Sequence, residues 1–133
     1  MITPAKYSQE EFVLNYNGEM YLVECKGVAK TITLTHVRQL IDYVMKFEED
    51  EQRSGKGILL GNAWKDSPLS DRQQKDAVFP QNAISRAEAN GIALVSSVDF
   101  FHAFCQFLAG GIAGDAILDR ITSQVGVVDF SNL

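Results

Sequence analysis

Residues 11–26, EFVLNYNGEMYLVECK, carry the reading that decides the fold: two runs of alternating apolar residues flank Asn17-Gly18. Asn-Gly is the strongest short hairpin signal, because both central residues of a type I′ turn need positive φ. A two-residue loop fixes the register of the strands it joins. Counting back from the turn, Tyr16 faces Glu19, Leu14 faces Tyr21, Phe12 faces Val23, and Glu11 comes to lie opposite Glu24. Side chains alternate along a strand, so Lys26 projects from the same face as Glu24. Two acids and one ammonium are thereby gathered at one end of the hairpin.

Opposed like charges on neighbouring strands are destabilising unless something neutralises them. Three candidates exist: a bound divalent cation, Lys26, or a proton shared between the carboxylates. Oxygen-only ligation suits a hard ion. Magnesium or manganese fits best, since magnesium takes one or two protein carboxylates, keeps water in its other positions and reaches substrate phosphates. In outline this is a phosphodiester-cleavage site, in which the metal activates a water and the lysine orients it or stabilises developing charge. A solvated cross-strand pair of Glu and Lys on an exposed strand face is the plainer alternative, and the hairpin alone leaves it open.

Glu24-Cys25-Lys26-Gly27, placed after a hydrophobic strand, resembles the ExK half of the PD-(D/E)xK nuclease superfamily. Downstream, Gln39-Leu40-Ile41-Asp42-Tyr43 resembles the QxxxY helix motif of the RecB-like branch of that superfamily. With GILLGN and IALVSS as later core strands, the likeness runs from about residue 10 to residue 104. It implies an α/β restriction-endonuclease-like three-layer sandwich, with a central mixed sheet flanked by helices. It further implies a magnesium- or manganese-dependent endo- or exonuclease acting on nucleic acid, with DNA the expected substrate. By the same resemblance Glu11 and Glu24 hold the metal, the carbonyl of Cys25 supplies a further oxygen, Lys26 assists the attacking water, and Gln39 with Tyr43 line the cleft. One departure stands out. The family's first ligand is usually an aspartate, whereas this chain offers the longer Glu11, or Glu10, whose side chain faces the other way.

The rest of the chain bounds these expectations. Its 133 residues suit one compact domain, read as a nuclease-like core over 1–109 and a C-terminal extension over 110–133 that packs on the core or on a second subunit. A net charge of −5 opposes bulk polyanion binding, so any nucleic-acid contact must come from a local patch or from a metal. Cys25 and Cys105 form no zinc pattern and read as free thiols of a reducing compartment, with the cytoplasm as the default. No stretch is long and apolar enough to span a bilayer, so no membrane partner is expected.

Residues 1–9 promise little structure, and the opening helix of the restriction-endonuclease-like core is expected to be absent. A longer parent chain or a homodimer would then complete the flank. Residues 36–51 predict a helix capped by Thr35, with Val37, Leu40, Ile41, Val44 and Phe47 as its apolar stripe. In the long connection over 62–81, Trp64 is read either as a base-stacking platform or as a lid over the sheet, with Lys65 and Arg72 as phosphate contacts. The aromatic side of a helix over 100–109 is expected to face the core. Against the nuclease stands a noncatalytic nucleic-acid-binding or assembly module on the same scaffold. Hydrolysis of a nucleotide or other small molecule at the same residues is a third possibility.

Overall fold

The hairpin forms as its turn dictates. In the computed structural model, which describes residues 2–4 and 11–133, Asn17 and Gly18 take φ of 53° and 80° and join β2 (Glu11–Tyr16) to β3 (Glu19–Gly27). The register is Tyr16 opposite Glu19, Leu14 opposite Tyr21, Phe12 opposite Val23 and Glu11 opposite Glu24. From β3 onward the sheet is parallel: β4 (Lys56–Asn62) pairs with β3, β5 (Ala93–Ser96) with β4, and the two-residue β6 (Gly126–Val127) with β5. With β1 (Ile2–Pro4) beside β2, the molecule is an α/β protein with a mixed sheet in the order β1-β2-β3-β4-β5-β6.

One expectation about the start of the chain is corrected. Residues 2–4 are not structureless; β1 (Ile2–Pro4) pairs antiparallel with β2, setting Ile2 opposite Leu14 and Pro4 opposite Phe12. Proline is tolerated there because an edge strand has one side whose amides need no ladder partner. Glu10, the alternative first acid, lies outside the described residues.

Helices cover both faces of the sheet. Parallel strands need crossovers; α1 (Leu34–Glu51) supplies the first, and the second runs through the one-turn α2 (Leu69–Arg72) and then α3 (Gln81–Ala89). On their face Leu22, Leu59 and Leu94 of the strands meet Val37 and Leu40 of α1 and Ala83 and Ala87 of α3. Ile41, Val44 and Phe47 complete the α1 stripe as half-buried neighbours. Gly57 lets α1 approach β4: a Cβ there would lie 3.2 Å from both Leu40 Cγ and Val44 Cγ2 and would collide with Ile92. The cap of α1 is Thr33 rather than Thr35, and the Thr33 amide donates to His36 Nδ1 at 3.0 Å.

The opposite face carries α4 (Ser97–Leu108) and α5 (Gly114–Ser123), where Ala103, Ile117 and Ile121 pack on Tyr21, Val23, Ile58, Ala93 and Val95. Residues 110–133 therefore share this core through α5, β6 and the buried Val128. Lys56 ties the end of α5 to the start of β4 by donating to the carbonyls of Thr122 and Gln124 at 3.0 and 3.3 Å.

The expected burial of the α4 aromatics is also corrected. Phe100 packs inward, but Phe101, Phe104, Phe107 and Leu108 are 49%, 41%, 41% and 67% exposed. The run FFHAFCQFL is apolar on both sides of a helix, and only the side presenting Ala103 allows the close approach the sheet requires.

Candidate functional site

Glu11 and Glu24 meet on the α1 side of the sheet. The pair that closes a two-residue turn exchanges hydrogen bonds, and such pairs alternate with non-hydrogen-bonded ones along an antiparallel ladder. Tyr16–Glu19 is the first pair, so Glu11–Glu24 falls in the non-hydrogen-bonded class, where Cα atoms approach to about 4.5 Å and side chains are closest. Both residues are buried, Glu11 being 3% and Glu24 2% exposed. Their neighbours on the same face, Val13 and Leu22, belong to the apolar cluster under α1. Two carboxylates have thus been brought out of water against one another at the apolar layer's margin, an arrangement that is costly for two ionised groups.

Lys26 stands two residues beyond Glu24 on the same face and is half-buried. It also lines a pocket of about 510 Å³ at the carboxyl ends of β3 and β4, together with Cys25, Gly27, Leu60, Asn62 and Arg72. Cys25 is exposed, and its backbone groups point away from β4, because the intervening residues Glu24 and Lys26 are the ones aimed at that strand. The Cys25 carbonyl is therefore directed to the β2 side, just past the Glu11–Glu24 pair. Were a cation held here, Glu11, Glu24 and the Cys25 backbone would offer it oxygen donors only, a chemistry that suits a hard divalent ion better than zinc. Among the described residues no group of three or more His, Cys, Asp or Glu side chains is placed to hold a metal, so two carboxylates are all that the side chains offer.

The QxxxY residues lie on the helix that covers this same face. Tyr43 is half-buried and packs against the cluster containing Leu22, whereas Gln39, one turn earlier, is exposed. The hairpin trio is brought together by strand register. Gln39 and Tyr43 are brought to the same layer by α1, four residues apart along one flank.

Sequence reasoning missed a polar knot beside the trio. Asn62 Oδ1 accepts from Arg72 Nη1 at 2.8 Å and from Ser97 Oγ at 3.1 Å, and Arg72 also donates to the carbonyls of Ser67 and Lys65. The only sequence signal for it is an Asn that ends an apolar strand. The connection between β4 and α3, whose short helix α2 ends at Arg72, is laced to the segment after β3 by Val28 N to Asn62 O, Lys65 N to Val28 O, Trp64 N to Lys30 O and Ile32 N to Val78 O. Trp64 locks the loop on itself: its indole N–H donates to Asp76 O at 3.0 Å, and the Lys75 ammonium lies 5.7 Å from the ring centroid.

No helix among the described residues is long and apolar enough to cross a membrane. Compared with protein-family models, with curated proteins and with solved structures, the chain matches none of them.

Proposed function

We propose that the protein is a metal-dependent nuclease of the PD-(D/E)xK kind, or a nuclease domain of a larger protein, hydrolysing phosphodiester bonds of DNA with magnesium or manganese. The single observation that carries this reading is the pairing of two buried carboxylates, Glu11 and Glu24, on adjacent strands with Lys26 next on the same face. Two carboxylates on adjacent strands offer a divalent ion two charges that it would offset at once. Glu11, Glu24 and the Cys25 carbonyl would hold the ion, which when bound polarises the phosphate and lowers the pKa of a water. Lys26 would supply positive charge to the phosphate oxygens from the pocket side, and Tyr43 with Gln39 would line the α1 flank of the cleft.

A second reading has its own observation. Carboxylates only 3% and 2% exposed give a substrate little access, which favours a noncatalytic nucleic-acid-binding or assembly module that has kept the scaffold. The two readings part in one assay: labelled single- and double-stranded DNA incubated with magnesium, with manganese or with EDTA. For the nuclease, the parent cuts only with metal, and Glu24→Ala and Lys26→Ala each lower the rate by at least about a hundredfold, the scale of losing one charge-stabilising group. Cutting that survives Lys26→Ala would remove the lysine from the mechanism, and a parent that never cuts would leave the binding module.

A further inference from the structure

The pocket that Lys26 lines is unlike the rest of the surface. The whole chain carries 17 Asp and Glu against 12 Lys and Arg, yet among the described residues no carboxylate lines this pocket, while Lys26 and Arg72 both do. Lys65 is not itself a lining residue but runs beside one: a Cβ on Gly27 would lie 3.4 Å from Lys65 Cδ. A basic concavity in an acidic protein is a local anion site of the sort the sequence demanded for any contact with nucleic acid. Two of its apolar lining residues, Leu69 and Phe101, are about half exposed.

Its polar groups are oriented as well. Because Asn62 Oδ1 already accepts from Arg72 and Ser97, the amide nitrogen is turned the other way, to 4.0 Å from the position a Gly27 Cβ would take. The pocket wall therefore presents an N–H₂ donor beside two cations and a phenyl ring. At about 510 Å³ the space suits a single nucleotide unit rather than a duplex.

We infer that this pocket takes one unpaired nucleotide of a nucleic-acid strand, its base against Phe101, an acceptor of the base or sugar on the Asn62 amide, and its phosphate between Lys26 and Lys65. The inference deepens the nuclease reading and rests on it for the direction in which the strand runs, from the pocket across Lys26 to the carboxylates. A base in the pocket cannot be paired, so the substrate it selects is single-stranded DNA or an unwound end.

The test reads binding in EDTA, where no hydrolysis can occur. Fluorescence anisotropy with a labelled oligothymidylate compares the parent with Phe101→Ala, Phe101→Tyr, Lys65→Ala and Phe104→Ala, with a hairpin duplex as the second probe. Phe101→Ala should weaken oligothymidylate binding about tenfold, the effect of losing one stacked base, and Phe101→Tyr should restore it. Phe104, an exposed aromatic outside the pocket, should be replaceable without effect, and duplex binding should be indifferent to all the aromatic changes. Both phenylalanines are surface residues, and equal unfolding temperatures check that the variants are folded. Equal oligothymidylate affinity in Phe101→Ala and the parent would overturn the assignment, as would a parent that binds no oligonucleotide. Thymidine monophosphate binding as tightly as the oligomer would replace the strand by a free nucleotide. The two proposals fail separately: Phe101-dependent binding by a parent that never cuts DNA would keep the pocket and discard the nuclease, whereas metal-dependent cutting insensitive to Phe101 would do the reverse.

Discussion

Glu24 is the residue at which structure and function pull hardest against each other. A buried acid facing a second buried acid is a poor choice for stability and a good one for holding a cation, and substitution by glutamine separates the two roles because it keeps shape while removing one charge. In EDTA the melting temperature of Glu24→Gln, compared with that of the parent, reads what the Glu24 charge contributes to the metal-free fold, on a scale of roughly 3–5 °C per kcal/mol for a domain of this size. Added magnesium or manganese should raise the melting temperature of the parent and leave that of the variant unmoved, since ligand binding stabilises only a fold that has the site. A variant that melts lower in EDTA would instead assign Glu24 to a structural ion pair, and thermal unfolding followed by circular dichroism decides between them.

At the scale of elements, what was legible in the sequence is what short-range geometry determines. Asn17-Gly18 fixed every pair from Tyr16–Glu19 to Glu11–Glu24, and the spacing of Val37, Leu40 and Val44 fixed the face of α1. What sequence could not show depends on partners far away in the chain. The α4 run is apolar all round, so only the demand of the sheet for a small residue at Ala103 chooses which side turns inward. β1 is three residues ending in proline and exists because β2 offers an open edge. Asn62 became a hub only when Arg72 and Ser97 were folded onto it. The hairpin's outer end shows the same dependence, for Tyr16 donates its hydroxyl hydrogen to Asp119 of α5 at 2.6 Å, joining residues 103 apart. That bond, with the Asp119 charge behind it, pushes the phenol up from 10.0 to about 12. The folded state thus keeps the proton that the unfolded state releases near pH 10. The contribution of the bond is complete below pH 10 and is lost as pH rises through 12. The stability advantage of the parent over Tyr16→Phe should accordingly be flat up to about pH 9–10 and shrink across pH 10–12, as read from urea unfolding midpoints. A constant difference over that range would detach the phenol from Asp119.

The whole molecule sets the terms on which any nucleic acid is met. With a net charge of −5, its average field repels a phosphate backbone, and the acidic end of α1 at Glu48 to Glu51 adds to that repulsion. The proposed strand site lies at the carboxyl edge of the sheet, where Lys26 and Arg72 line one pocket and Lys65 flanks it. Three cations neutralise few phosphates, so few counterions are released on binding. For a single strand, log Kobs against log salt concentration should fall with a slope of about −2, taking roughly 0.7 per phosphate neutralised. The stacking contribution of Phe101 carries no charge and should survive at high salt, leaving a residual affinity that Phe101→Ala removes. Anisotropy titrations of a labelled oligothymidylate from low to high potassium chloride measure both quantities. A slope of −5 or steeper would mean that more phosphates are neutralised than these three cations can reach, and hence that the strand binds somewhere other than beside Lys26.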